Sequence, residues 1–156
     1  MTETGPAAAS EQGGRPGSPP KTLLVVDDEP FILSALAAYF HHMVPGLHVV
    51  VAKSAAEGLA CMQESRIDVV VSDYRMPDMD GLTFLRHCAN EYPSTRRLLF
   101  TANIDLHLLE QARDDLACHA WLQKGCDPQR LLDAVQDALA QQAAPPRLAM
   151  ARGASA

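Results

Sequence analysis

Five short runs of apolar residues alternate with segments of helical periodicity, and this alternation constrains the fold more than any other feature of the sequence. The runs are Leu23–Val26, Val49–Val51, Ile67–Val71, Leu98–Phe100 and the weaker Ala120–Leu122. Apart from Asp68 in the third run, the apolar residues within each run are continuous rather than alternating with polar ones. Such runs are typical of strands that are covered on both faces, as in parallel sheets. The sequence therefore predicts a parallel sheet of five strands.

Segments with helical spacing lie between and after these runs, and most of them have recognisable ends. Pro30 suits a first helical turn, Ser54 with Glu57 forms a candidate capping box, and Asp127 followed by Pro128 predicts the start of the last helix. The residues that we expect to face inward are Ile32, Leu36, Tyr39, Phe40, Leu59, Met62, Leu82, Leu85, Cys88, Tyr92, Ile104, Leu108, Ala112, Leu131, Val135, Ala138 and Leu139. Strands and helices in alternation predict an α/β fold, a (βα)₅ doubly wound parallel sheet with helices on both faces. Periodicity alone leaves the strand order open.

The two ends of the sequence differ in composition from this alternating region. Residues 1–20 are rich in Gly and Pro and poor in apolar side chains, and residues 143–156 turn to Pro, Ala, Arg and Gly. Such segments bury too little surface to offset the entropy lost on ordering. We therefore expect disordered tails on either side of one folded domain at 21–142. The last segment is too short for an output domain, which predicts a stand-alone domain.

Charge and cysteine content argue against several classes of protein. The net charge of −6 disfavours sequence-independent binding to nucleic acid, and no element has the basic residues of a DNA-recognition helix. The four cysteines, Cys61, Cys88, Cys118 and Cys126, show no CxxC spacing, which favours reduced thiols over disulfides or a zinc site. Neither an export signal nor an apolar run of membrane-spanning length is present. We expect a cytoplasmic protein that does not enter the membrane.

Polar side chains follow or end four of the five predicted strands. Asp27 and Asp28 follow the first strand, Asp73 follows the third, Thr101 follows the fourth run, and Lys124 follows the fifth. Ligands of doubly wound sheets bind outside the carboxyl ends of the strands. We therefore expect these five side chains to meet on one edge of the sheet.

This set of residues suggests a specific chemistry. Taken singly, each aspartate has an alternative role in a turn or a helix cap, but carboxylates that cluster are tolerated best around a cation. Oxygen ligands suit Mg²⁺ or Mn²⁺. A carboxylate beside such an ion can attack phosphorus and form an acyl phosphate, while Lys124 and Thr101 hold the oxygens of the transferring group. No glycine-rich phosphate loop occurs, so the sequence does not support nucleotide binding.

Four motifs together resemble the receiver domain of two-component response regulators, in particular the chemotaxis receivers. They are Asp27-Asp28, Asp73-Tyr-Arg-Met-Pro-Asp-Met-Asp-Gly81, Thr101-Ala102 and Lys124. Their order and spacing agree with the family across the whole predicted domain. The resemblance implies the flavodoxin-like fold with strand order 2-1-3-4-5.

The resemblance also implies which residues bind the phosphoryl group and the metal. Asp73 would accept a phosphoryl group from a histidine kinase. Asp28 and Asp73 would ligate Mg²⁺ or Mn²⁺ directly, together with the backbone carbonyl of Arg75. Asp27 would act on the metal through a water molecule.

Further roles follow from the same resemblance. Thr101 would be the switch hydroxyl that moves toward the phosphoryl oxygens, and Lys124 would pair with the phosphoryl group. Arg75 and Asn103 occupy the two positions that tune dephosphorylation in the family.

The sequence departs from the family pattern at two positions. Trp121 stands where the family has Tyr or Phe, a ring that turns inward as the threonine moves; the alternative is a core aromatic residue with no switching role. Gly125 replaces a proline that the family joins through a cis peptide bond. A cis bond to a residue other than proline costs about 2.5–4 kcal/mol, so we expect a trans bond. The position of Lys124 depends on that loop.

These features predict a receiver in phosphorelay signal transduction that signals through protein–protein contacts. We expect no enzyme activity beyond Mg²⁺-dependent self-phosphorylation and autodephosphorylation. The expected partners are a sensor histidine kinase or a histidine phosphotransfer protein and an unknown downstream protein, with a phosphorylation-dependent dimer as a further option. One alternative is a relay intermediate that passes the group to a histidine phosphotransfer protein. A Mg²⁺-dependent aspartyl phosphatase is disfavoured because such enzymes carry an acid two residues after the nucleophile, where this sequence has Arg75. An FMN-binding flavodoxin is disfavoured because acidic loops are a poor cradle for the FMN phosphate.

Overall fold

The computed structural model describes residues 19–102, 105–107, 109–110 and 118–142. The strands are β1 Thr22–Val26, β2 His48–Ala52, β3 Val69–Ser72, β4 Arg96–Thr101 and β5 Ala120–Gln123. The helices are α1 Pro30–Met43, α2 Ala55–Glu64, α3 Gly81–Glu91 and α4 Pro128–Gln142. Helical backbone also occurs at 106–107 and 109–110, within the segment predicted to hold a further helix. Three residues on which that prediction depended, Ile104, Leu108 and Ala112, lie outside the described residues, as do the predicted tails apart from 19–20.

All five strands are parallel and lie in the order β2-β1-β3-β4-β5. This confirms the doubly wound fold and the strand order implied by the resemblance. The order places β1 beside β3 in the middle of the sheet, with Val25 of β1 opposite Val71 of β3. The chain leaves both strands at the same edge, where the topology reverses and a crevice opens.

Each face of the sheet carries its own apolar layer. On one face Leu24 and Val26 of β1 pack in a cluster with Phe84 of α3. On the other face Leu23 and Val25 pack with side chains of α1 and α4. Consecutive residues of β1 are therefore all buried, which is the physical reason for the continuous apolar runs.

The helix starts largely follow the predicted signals. The Ser54 hydroxyl accepts a hydrogen bond from the Glu57 N–H at 3.1 Å. The Glu57 carboxylate accepts from the N–H of Lys53 at 2.8 Å, one residue earlier than in a standard capping box. Asp127 accepts from the Gln129 N–H at 3.0 Å, as expected of a cap ahead of α4.

Two details of packing differ from the expectation. Phe40 of α1 is buried as predicted, whereas Ile32, Leu36 and Tyr39 are only partly covered. Leu33, which was not predicted to face inward, is buried as well. Strand β3 begins two residues later than predicted, at Val69. Just before it, the Asp68 carboxylate accepts a hydrogen bond from the Thr22 N–H at 2.8 Å. In the described ranges no helix is long and apolar enough to cross a membrane.

Candidate functional site

Three carboxylates meet at the carboxyl edge of the sheet, as the strand ends predict. Oxygen atoms of Asp27, Asp28 and Asp73 all lie within 4.8 Å of one another. Asp27 follows β1 and Asp73 follows β3, and the Asp73 N–H donates to the carbonyl of Val26 at 2.9 Å, which fixes the spacing of the two loops. Asp27 and Asp73 are buried, whereas Asp28 is exposed.

Lys124 reaches the same cluster from the end of β5. Its Nζ atom lies 2.7 Å from an oxygen of Asp27 and 3.3 Å from an oxygen of Asp73. Its backbone N–H donates to the carbonyl of Thr101 at 2.9 Å, which joins the ends of β4 and β5. The sheet therefore brings Lys124 to the acidic cluster as predicted.

The protonation of the site follows from burial and from neighbouring charges. Burial raises the pKa of Asp73, and the negative charge of Asp27 raises it further, against the opposing effects of Lys124 and the Tyr74 N–H. For Lys124, burial acts to lower the pKa, but its contacts with Asp27 and Asp73 prevail and raise it. The site thus holds one ammonium group among three acidic side chains, and this excess of carboxylates favours a bound cation.

The donor set fits a hard divalent cation. One oxygen of Asp27 accepts from the Glu29 N–H at 2.9 Å and the other pairs with Lys124, so both are already engaged. One oxygen of Asp73 accepts from the Tyr74 N–H at 2.8 Å. Asp28 lies open on a cleft of about 400 Å³ that is also lined by Arg75. Carboxylate oxygens with room for water are the ligands that Mg²⁺ prefers.

The loop between β3 and α3 passes very close to the backbone of Asp73. A side chain at Gly81 would place its Cβ atom 2.0 Å from the Asp73 carbonyl oxygen. The Gly81 N–H donates to the carbonyl of Tyr74 at 2.7 Å, and Asp80 caps α3 by accepting from the Thr83 N–H at 2.8 Å. Only glycine permits this approach, which explains its place after Asp80.

The remaining predicted residues have different outcomes. Thr101 is buried at the end of β4, on the same edge as the carboxylates. Trp121 is 44% exposed, so the structure does not place it in the core. No cis peptide bond occurs in the part of the chain that the structure describes, so the Lys124–Gly125 bond is trans, and Gly125 adopts a φ of 97°. Asn103 lies outside the described residues.

Sequence reasoning missed the contacts of Asp78. Its carboxylate accepts from the N–H groups of Ala55 and Ala56, at 3.3 and 2.9 Å. These partners precede it by more than twenty residues, so no local pattern indicates the contact.

A family model for the response regulator receiver domain matches residues 23–136. The chain is 36% identical over 118 residues to the transcriptional activator protein ExaE of Pseudomonas putida, covering 76% of this chain and 55% of that protein. It is 33% identical over 124 residues to the transcriptional regulatory protein GlrR of Escherichia coli, covering 80% of this chain and 27% of that protein. The chain therefore spans about half the length of the first relative and about a quarter of the second.

Solved structures of receiver domains share the fold. The signal receiver domain of an HD domain-containing protein from Pseudomonas fluorescens Pf-5 superimposes with a TM-score of 0.74 at 32% identity, covering 79% of this chain and 97% of that one. The chemotaxis response regulator CheY4 of Vibrio cholerae superimposes with a TM-score of 0.68 at 28% identity, covering 76% and 98%. The likeness extends over nearly the full length of both domains.

Proposed function

We infer the function from a premise that the family match establishes: the chain belongs to the response regulator receiver domain family. We propose that Asp73 accepts a phosphoryl group from a histidine kinase, in a site that also binds Mg²⁺ or Mn²⁺. The observation that carries this proposal is the cluster of Asp27, Asp28 and Asp73, in which Lys124 contacts Asp27 and Asp73.

The geometry supports a separate role for each side chain. One oxygen of Asp73 is held by the Tyr74 N–H, which leaves the oxygen beside Lys124 to attack phosphorus as the bond to the donor nitrogen breaks. Lys124 then exchanges its contact with Asp73 for one with a phosphoryl oxygen. Thr101 supplies a hydroxyl donor from the neighbouring strand. The cation, when bound, neutralises charge on the transferring group.

The direct test is labelling with a small acyl phosphate donor in the presence of Mg²⁺. Intact-protein mass spectrometry should show the wild type gaining one phosphoryl group and Asp73→Asn gaining none. Asp105→Asn, which changes an exposed aspartate outside the site, is the matched control and should label like the wild type. Equal labelling of the wild type and Asp73→Asn would overturn the proposal.

We further propose that the loaded protein signals in the cytoplasm through protein–protein contacts and does no other chemistry. Two exposed large apolar side chains support contacts with another protein: Leu106, which follows β4, is 70% exposed, and Trp121 of β5 is 44% exposed. Several relatives are named as transcriptional regulators, so DNA is the competing partner. Protein loaded with a beryllofluoride phosphoryl mimic should capture a protein that Asp73→Asn does not. Mimic-dependent retention on DNA by the purified chain would contradict this output.

A further inference from the structure

Asp78 joins the loop after Asp73 to the start of helix α2. Its two carboxylate oxygens accept hydrogen bonds from the first two amides of α2, at 3.3 Å from Ala55 and 2.9 Å from Ala56. A carboxylate at this position also interacts favourably with the positive end of the helix dipole. The contact is therefore well suited to tie the loop to the helix.

The start of α2 is capped locally without Asp78. The Ser54 hydroxyl satisfies the Glu57 N–H, and the Glu57 carboxylate reaches back to the N–H of Lys53. Asp78 takes the two amides that this local capping leaves over. Its contact is tertiary in character, since it links two loops at the edge of the sheet that carries the acidic cluster.

The loop is fixed at its other end beside Asp73. The Tyr74 N–H donates to the Asp73 carboxylate, and the Tyr74 carbonyl accepts from Gly81. Arg75 follows at once, with its side chain exposed on the cleft that Asp28 lines. The backbone of Arg75 thus lies between an anchor at Tyr74 and an anchor at Asp78, while Met76 and Met79 pack partly against the core below.

We propose that Asp78 is a positioning residue: by holding the loop against α2, it keeps the Arg75 carbonyl where a divalent cation bound by Asp28 and Asp73 meets it. This inference rests on the proposed function, because it assigns a task to Asp78 in the binding of that cation. The same contact couples α2 to the metal site, because a cation that fixes the loop also stabilises the hydrogen bonds from Asp78 to the first amides of α2.

The experiment compares the affinity for Mg²⁺ of wild type, Asp78→Ala and Ser54→Ala by isothermal titration calorimetry. Ser54→Ala is the matched control, because it weakens the same helix end and leaves the loop contact in place. Removal of a partner that orients a metal ligand commonly weakens binding by about 10–100-fold. We expect about tenfold weaker binding for Asp78→Ala, near wild-type binding for Ser54→Ala, and an intermediate value for Asp78→Asn, which keeps one carbonyl acceptor.

A second measurement uses the unaltered protein. Coupling between two sites is reciprocal, so Mg²⁺ should slow hydrogen exchange of the Ala55 and Ala56 amides in the wild type, and this effect should disappear in Asp78→Ala. Wild-type affinity in Asp78→Ala, or equal losses in Asp78→Ala and Ser54→Ala, would overturn the positioning role. If the wild type binds no Mg²⁺, or binds it equally well after Asp73→Asn, the proposed function itself fails.

Discussion

The Asp73 carboxylate is buried beside Asp27, and both burial and that neighbouring charge raise its pKa, although Lys124 partly compensates. A carboxyl group with a raised folded-state pKa contributes its full stability at a pH below its unfolded value and loses it as the pH rises through the folded value. At neutral pH, without a cation, the ionised Asp73 therefore lowers the free energy of unfolding. The carboxylate that we propose as the phosphoryl acceptor therefore reduces the stability of the fold when no cation is bound.

We predict that Asp73→Asn raises the free energy of unfolding at pH 7 in a chelating buffer. Urea denaturation at pH 7 and again near pH 4 measures the effect, and the gain should shrink at the lower pH, where wild-type Asp73 takes up its proton. Saturating Mg²⁺ should reverse the order, because only the wild type keeps all three carboxylates. A gain that grows toward acid pH would contradict this account.

Arg75 is exposed on a cleft that is also lined by Asp28 and by Tyr74, the residue after Asp73. We expect its long cationic side chain to restrict the approach of water to a phosphoryl group on Asp73. We predict that Arg75→Ala shortens the lifetime of the acyl phosphate several-fold, measured as the decay of labelled protein after donor removal. Arg130→Ala, an exposed arginine on α4, is the control and should leave the lifetime unchanged. An unaltered lifetime in Arg75→Ala would show that the arginine is only a solvated surface residue.

At the scale of elements, the start of α3 depends on the absence of a side chain at Gly81. A Cβ atom there would meet the Asp73 carbonyl oxygen at 2.0 Å, so backbone must move. Overpacking of this kind costs roughly 1–3 kcal/mol. We predict that Gly81→Ala lowers the free energy of unfolding by at least about 1 kcal/mol and also slows labelling of Asp73. Thr83→Ala, an exposed change two residues along the same helix, should do neither.

Two glycines in different loops, Gly46 between α1 and β2 and Gly125 between β5 and α4, offer a cleaner comparison because they share one property. Gly46 and Gly125 both have positive φ, 85° and 97°, and a Cβ atom at either would have no neighbour within 4 Å. The left-handed conformation costs other residues about 1–2 kcal/mol. We predict that Gly46→Ala and Gly125→Ala lose similar stability by urea denaturation. Only Gly125→Ala should slow labelling, because it displaces the neighbouring Lys124.

The elements that sequence predicts best are those with a purely local cause. Continuous apolar runs gave the strands because both sheet faces are covered, and Ser54 and Asp127 gave helix starts because a cap contacts amides within three residues. The start of β3 was misplaced because its boundary depends on Asp68 contacting Thr22, far away in sequence. Asp78 was missed for the same reason.

The departure from the family pattern at Gly125 also has a local cause. Proline cannot adopt the φ of 97° that Gly125 has, so the loop differs from one that carries proline, yet Lys124 still contacts Asp27 and Asp73.

At the scale of the whole molecule, the site exists because β1 lies beside β3. That order cannot be read from periodicity, since any order of covered parallel strands gives the same apolar runs; it was implied by the family resemblance. Once the order is known, the convergence of Asp27, Asp28 and Asp73 follows from their places after β1 and β3. The distances among them, and the contact of Lys124 with both buried aspartates, depend on the complete sheet.

The pairing of β4 with β5 allows a test of the proposed switch, because Trp121 is the single tryptophan of the chain and its fluorescence reports its surroundings. Trp121 lies opposite Leu99, two positions before Thr101 on β4, and is 44% exposed. The family resemblance implies that this ring turns inward as Thr101 moves toward a phosphoryl group, and an indole that turns inward is shielded from water.

We predict that beryllofluoride with Mg²⁺ shifts the emission of Trp121 to the blue and reduces its quenching by acrylamide. Asp73→Asn should show neither change. Thr101→Ala should bind the mimic without the spectral response, because the link between acceptor and ring is then removed. Unchanged emission from fully loaded wild type would mean that loading is transmitted by another route, with the coupling of Asp78 to α2 as the next candidate.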